Sequence, residues 1–343
     1  MADLAATSEP SPDTQVSWRE IIEVAAPFLD QVAKKLEAQV ETFEPMVAPY
    51  ARYALTNQGK QLRPALVTLS GGAAGKPTED LITVAMIIEM VHLATLVHDD
   101  IVDSAELRRC RPTLAAHWGN EVAVLLGDCL LARAIQLAAG FPTTEVCRMV
   151  ASATNTVCSG EILQTQNRFN FELSRPIYFK VVGMKTAALF ALSCDLGAGL
   201  SGAQGNSRSA LRNYGWALGT AYQVYDDCLD LFGSEAAVGK SLGTDLANGK
   251  LTLPLLVVLE RATESDKSLL KRMIQPWDRV VLPQVMELMD KYEALAESRR
   301  VLHEYLDSAR GNMRHLPNST SRNALMGLAD YLAQQTDSIG ARS

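Results

Sequence analysis

Residues 81–97 read LITVAMIIEMVHLATLV, a run in which only Thr83, Glu89, His92 and Thr95 interrupt the apolar side chains. A helix with that pattern is hydrophobic around most of its circumference and has to be buried, so the chain must supply further helices to surround it. The run then ends abruptly in charge, HDDIVDSAELRRCRPT at 98–113. Asp99 and Asp103 are four apart and share one helix face, with Asp100 about 100° round from Asp99. Like charges at that spacing repel by roughly 0.2–0.5 kcal/mol in water, and by more as water is excluded, so a cation is expected beside them.

A solitary DDxxD serves equally well as a solvated helix end. A second copy alters that reading: Asp226, Asp227 and Asp230 close AYQVYDDCLDLFG at 221–233, the end of another largely apolar stretch. Short carboxylates offering only oxygen suit a hard ion that keeps water ligands and is completed by substrate phosphates, as Mg²⁺ is. Neither triplet has the alternating ligands of an EF-hand, and no His or Cys cluster supports zinc or iron.

No segment shows sustained strand alternation, so the fold class is all-α. Apolar residues make up 48% and aromatics only 6% of the chain, which suits helices packed through Leu, Ala, Val and Met. The pattern places helices at about 81–104, 120–140, 143–168, 175–200 and 207–232, with amphipathic helix before them over 18–48 and shorter helices within 251–335. The glycine-rich stretch 71–77 reads as a connector. Residues 1–17 are small, polar and acidic, without the positive and apolar regions of a signal, and are expected to be a disordered tail; 18–343 form one large domain. Six scattered cysteines without a CxxC pair indicate a reduced, cytoplasmic setting. A net charge of −7 and no dense basic cluster argue against nucleic acid. The 81–97 run is short for a membrane span and carries Glu89 and His92, so a buried helix is expected instead.

Basic residues gather near both triplets in sequence. Lys60 and Arg63 precede Pro64 at a helix N-terminus, where backbone N–H groups also favour an anion. Lys240 and Lys250 follow the second triplet, with Asp245 between them, as a phosphate clamp would. The GKS at 239–241 does not complete a Walker loop, because its glycine spacing is wrong and helix precedes it.

GKQLRP at 59–64, HDDIVD with RRCRPT at 98–113, GDCLLARA at 127–134, GEILQ at 160–164, GMKTA at 183–187, YQVYDDCLD at 222–230 and GKSLGTDLANGKLTLPLL at 239–256 together resemble the trans-type (all-E) polyprenyl diphosphate synthases. Within them the likeness is to the long-chain octaprenyl and solanesyl type, and it covers nearly the whole chain after the tail. The resemblance implies a single antiparallel helix bundle around a deep central cavity, a homodimer, and Mg²⁺ as cofactor. It implies isopentenyl diphosphate and an allylic prenyl diphosphate as substrates, no membrane span, and peripheral membrane contact for product release. Asp99, Asp103 and Asp226 correspond to the main metal ligands, with Asp100, Asp227 and Asp230 as ligands or their supports. Arg108, Lys185 and Lys240 correspond to the holders of the allylic diphosphate, with Thr186, Gln223 and Lys250 nearby. Lys60, Arg63, His92 and Arg109 correspond to the holders of the isopentenyl diphosphate. His92, Thr186 and Gln223 fit equally as satisfied packing residues, and His98 and Gln164 have no assigned role.

Two departures stand out. Cys110 replaces the family's usual glycine after the arginine pair, and the C-terminal QQTDSIGARS lacks the usual basic end. For product length, the positions four and five before Asp99 are Thr95 and Ala94, about 6–7.5 Å below the triplet along the helix. Short-chain members place a bulky floor there, whereas both residues here are small. Val91 and Met90 follow one turn deeper, and Ile135 is expected on the neighbouring wall. This implies a product of about C30 to C50. The alternatives are a farnesyl or geranylgeranyl synthase and a non-catalytic subunit of a heteromeric synthase. A class I terpene cyclase is disfavoured by the intact second triplet and the Lys60/Arg63 pair.

Overall fold

The computed structural model describes residues 18–56, 59–233 and 242–340; the expected tail and Lys240 lie outside them. Helices α1 (Trp18–Glu23), α2 (Ala26–Gln39), α3 (Ala48–Thr56) and α4 (Leu62–Ala74) lead to α5 (Asp80–Val102), which carries the apolar run. The run is buried as its composition requires, with α2, α4, α7 and α10 packed around it. A hairpin of two-residue strands, β1 (Leu107–Arg108) and β2 (Arg111–Pro112), follows, then α6 (Leu114–Trp118), α7 (Asn120–Ala139) and α8 (Glu145–Gln166). Beyond these come α9 (Arg175–Val182), a π-helical turn (Gly183–Ala187), α10 (Ala188–Leu200) and the long α11 (Gly205–Phe232). The remaining helices are α12 (Thr244–Ala247), α13 (Leu253–Arg261), α14 (Glu264–Ile274), α15 (Leu282–Lys291), α16 (Ala294–Met313) and α17 (Thr320–Ser338).

Two apolar cores meet at α10. Leu189, Leu192 and Leu196 join the core around α5, α7 and α8, while Phe190, Cys194 and Ala198 join the one around α11, α13, α16 and α17. The 71–77 stretch is only partly a connector, since α4 runs through Ala74. Gly71 and Gly197 explain why: a Cβ on Gly197 would lie 2.3 Å from the Val67 carbonyl oxygen, so α4 and α10 approach too closely for a side chain there.

The hairpin is where the all-α expectation gives way locally. Leu107 pairs with Pro112 and Arg108 with Arg111, leaving Arg109 and Cys110 as the turn, at φ of 52° and 59°. Left-handed geometry at both positions is what a tight hairpin needs, and a side chain there costs roughly 1–2 kcal/mol. Cys110→Gly is therefore expected to raise stability by about 1 kcal/mol, measured by denaturant unfolding; an unchanged or lower midpoint would show that the turn carries no such strain. Thr113 fastens the loop, accepting from the Ala116 N–H at 3.1 Å and donating to the Ala105 carbonyl at 2.7 Å. Tyr53 supports its outer side, donating to the Pro112 carbonyl at 2.7 Å with the Arg111 guanidinium over its ring.

Candidate active site

The ends of α5 and α11 carry the two triplets, and one lysine ties them together. The loop after α11 folds back so that the Gly243 N–H donates to the Asp230 carbonyl at 2.8 Å and the Asp245 N–H to Asp230 Oδ2 at 3.0 Å. The Lys250 N–H in turn donates to the Asp245 carbonyl at 2.8 Å. From that anchor the buried Lys250 ammonium reaches Asp103 Oδ2 on the other triplet at 2.6 Å.

Further cations converge on the first triplet. Arg168 donates through Nη2 to Asp103 Oδ1 at 2.8 Å and to the Val102 carbonyl at 3.2 Å. Lys185 stands 3.5 Å from Asp99 Oδ2. Burial pushes the Asp99 carboxyl up to about 6; the Lys185 ammonium pulls it down, while Glu161 and Asp103 raise it.

The remaining carboxylates hold protein groups. Asp100, 5% exposed, turns toward the hairpin and accepts from Arg108 Nε at 2.7 Å. Asp227 accepts from Tyr178 Oη at 2.5 Å and from Gln223 Nε2 at 2.8 Å, and Gln223 Oε1 accepts from the buried Thr186 hydroxyl at 2.6 Å. Burial, with the negative charge of Asp245 close by, lifts the Asp227 carboxyl to about 8. Of the residues expected as ligands or supports, Asp100 and Asp227 accept from arginine, tyrosine and amide donors, and Asp230 accepts from a backbone N–H through Oδ2.

Buried Glu89, half-buried Arg63 and His92, and exposed Arg109 form a second group in which the charges act on their neighbours. Burial, reinforced by Arg63, Arg109 and Arg108, holds the His92 imidazole well below its ordinary range, so it is neutral at pH 7. The Arg63 guanidinium lies 5.0 Å from the Phe190 ring centroid, and its Nε is buried without a hydrogen-bond partner among the described residues. Lys60 rests at the rim, 5.8 Å from the Trp18 ring centroid.

A match to the polyprenyl synthetase family model over residues 44–293 takes in both triplets and both basic groups. The chain belongs to the polyprenyl synthetase family. It is 34% identical over 319 residues to an octaprenyl diphosphate synthase of Haemophilus influenzae, covering 93% of this chain and 97% of that one. It is 34% identical over 307 residues to heptaprenyl diphosphate synthase component 2 of Bacillus subtilis, covering 90% and 88%. A crystal structure of a polyprenyl synthase from Caulobacter crescentus, complexed with calcium and isoprenyl diphosphate, superimposes with a TM-score of 0.87 at 30% identity, covering 94% of this chain and 99% of that one. The all-α isoprenoid synthase fold is thereby established, and the chain is a prenyltransferase.

In this synthase a pocket of about 40 Å³, lined by Gln164, Tyr178, Lys185, Thr186, Gln223 and Asp227 among others, adjoins the second triplet. A larger open groove of about 590 Å³ lies between α8, α10 and α11 beside Met149, Leu192 and Trp216, and none of the carboxylates of the triplets lines it. Met90, Val91 and Ala94 are buried on α5, and the Thr95 hydroxyl donates back to the His92 carbonyl at 2.8 Å. Ile135 does not join them: the buried stripe of α7 runs through Ala123, Leu126, Leu130, Ala134 and Ala138, and Ile135, one step round, is 37% exposed. His98 sits toward α7, with Nε2 3.1 Å from the Val124 carbonyl oxygen. Among the described residues, three helical stretches, α5, α7 and Arg175–Leu200, are long and apolar enough to cross a membrane. The length argument made for 81–97 therefore does not hold for the whole helix. Its burial does, since two thirds of the apolar window of α5 is covered by protein.

The sequence reading left Glu89 unassigned and missed Glu161, Arg168 and Tyr178. Glu161 belongs to a motif already singled out, GEILQ, whereas Arg168 and Tyr178 stand outside every motif and become visible only when α8 and α9 pack beside the helix ends.

Proposed function

We propose that this chain condenses isopentenyl diphosphate with an allylic diphosphate, with Mg²⁺ as cofactor, to make an all-trans polyprenyl diphosphate of about C30 to C50, supported by small Thr95 and Ala94 below the triplet on α5 and no aromatic residue deeper on its apolar run. The observation that carries the proposal is Lys250: its backbone N–H is held by the loop that Asp230 anchors after α11, and its ammonium reaches Asp103, so one residue ties the ends of α5 and α11 together. Among the described residues no three carboxylates are gathered closely enough to hold an ion together; Asp99 and Asp103 are held by side-chain cations, and an all-oxygen donor set suits a hard divalent ion and the phosphates that accompany it. Asp99, Asp103 and Asp226 would hold Mg²⁺, which would supply Lewis-acid stabilisation of the diphosphate charge.

Lys185 and Lys250, with Arg108, then lie where a diphosphate leaving the allylic carbon gathers negative charge, and fixed cations there lower the barrier without reorganising. The bond from allylic C1 to oxygen breaks with its electron pair going to the diphosphate, the double bond of isopentenyl diphosphate closes onto C1, and a proton leaves the adjacent carbon. Arg63, Arg109, His92 and Lys60 hold the second diphosphate; a neutral His92 donates a hydrogen bond there without adding charge. Lys60→Ala and Arg63→Ala are expected to raise KM for isopentenyl diphosphate about tenfold or more, and Lys185→Ala to affect chiefly the allylic substrate and kcat. Equal effects on both substrates would contradict the division into two pockets.

A second reading rests on the relative named component 2: the chain could be one component of a two-component synthase. The pure chain supplied with Mg²⁺, farnesyl diphosphate and isopentenyl diphosphate separates them. Release of one diphosphate per isopentenyl unit consumed supports an enzyme complete in one chain type, and activity only after a second protein is added supports the other. Homodimerisation in the cytoplasm completes the proposal. It is supported by apolar residues left uncovered on α7 and α8, with Leu125 65% and Ile162 60% exposed, a face that a second copy would bury.

A further inference from the structure

The GEILQ stretch, residues 160–164, packs α8 against the π-helical turn that carries Lys185. Gly160 lets the π-helical turn approach α8: a Cβ there would lie 2.8 Å from Met184 Cβ and 3.0 Å from the Lys185 backbone nitrogen. One residue on, Glu161 forms a close ion pair with the Lys185 ammonium, and one turn later Gln164 Oε1 accepts from the same ammonium at 2.9 Å. The side chain of Glu161 is only 15% exposed. Asp99 is the third neighbour of that ammonium, and at 3.5 Å the most distant of the three. The lysine is thus shared between a carboxylate proposed to bind metal and a carboxylate–amide pair drawing it away.

We infer that Glu161 and Gln164 are positioning residues that hold the Lys185 ammonium off Asp99, leaving that carboxylate open to a divalent ion while keeping the lysine beside the incoming diphosphate. The inference rests on the assignment of Lys185 and Asp99 given under the proposed function. Without the Glu161 charge the lysine would close on Asp99, and a metal would have to displace it. Glu161→Gln preserves the shape and the acceptor oxygen and removes only the charge.

The test is calorimetric titration of the full chain with inorganic diphosphate in the presence of Mg²⁺, for wild type, Glu161→Gln, Lys185→Ala and the double variant, with melting curves alongside. Glu161→Gln is expected to weaken binding about fivefold or more, but less than about twofold once Lys185 is already alanine, because an effect exerted through the lysine disappears with it. In steady state it should raise KM for the allylic diphosphate and the Mg²⁺ concentration needed, leaving KM for isopentenyl diphosphate unchanged. Glu161→Asp, which keeps the charge on a shorter arm, should fall between. Equal weakening in both backgrounds overturns the inference, since Glu161 would then act on the metal directly. Unaltered binding in Glu161→Gln overturns it as well, and unaltered binding in Lys185→Ala overturns the diphosphate assignment on which it rests.

Discussion

Asp103→Ala and Asp226→Ala are each expected to lose Mg²⁺-dependent condensation by on the order of 10³-fold or more, because each removes an oxygen donor from the space where the leaving diphosphate gathers charge. The two variants should differ in stability. Asp103 holds Lys250 at 2.6 Å and Arg168 at 2.8 Å, so its loss leaves two largely buried cations without their carboxylate. That should cost about 1–3 kcal/mol. Steady-state turnover, read with denaturant unfolding so that misfolding is not mistaken for lost chemistry, checks both expectations. Near-normal turnover in either variant would contradict a metal site shared between α5 and α11.

What the sequence disclosed and what it hid follow one physical division. Helices were legible wherever a face repeats: the stretch from 207 onward appears as α11, and the buried run at 81–97 as the centre of α5. Both triplets were legible because the same aspartate spacing recurs at the ends of two separate helical stretches. Hidden were the interactions that exist only after packing. Nothing local tells that Asp100 turns to Arg108, that Asp227 is held by Tyr178, or that Glu89, 2% exposed, sits among arginines. Ile135 shows the same limit: its place on a neighbouring helix was legible, but which side of α7 is buried depends on a stripe beginning at Ala123, and Ile135 lies off it. Cys110 went the other way. The replacement of the usual glycine stood out from sequence alone, and φ there is 59°.

Ala94→Phe is expected to shorten the product from about C30–C50 to about C15–C20, because it places an aromatic floor about 7.5 Å below Asp99 on the helix that flanks the growing tail. Ala94 is fully buried, so the ring must enter space that the tail would otherwise occupy or displace neighbours in the core. Overpacking alone would cost about 1–3 kcal/mol and leave product length unchanged. Product sizing together with melting curves distinguishes the two: a shorter product at similar stability supports the tail path along α5, and an unchanged product at lower stability shows that Ala94 only permits close helix packing.

The most direct test of the central claim needs no variant. Pure chain is incubated with Mg²⁺, farnesyl diphosphate and excess isopentenyl diphosphate, and the dephosphorylated products are sized by chromatography. A distribution centred between about C30 and C50 is predicted, from small Thr95 and Ala94 one turn below the triplet and no aromatic residue deeper on the apolar run of α5; termination at C15 or C20, or no elongation by the chain alone, would contradict it.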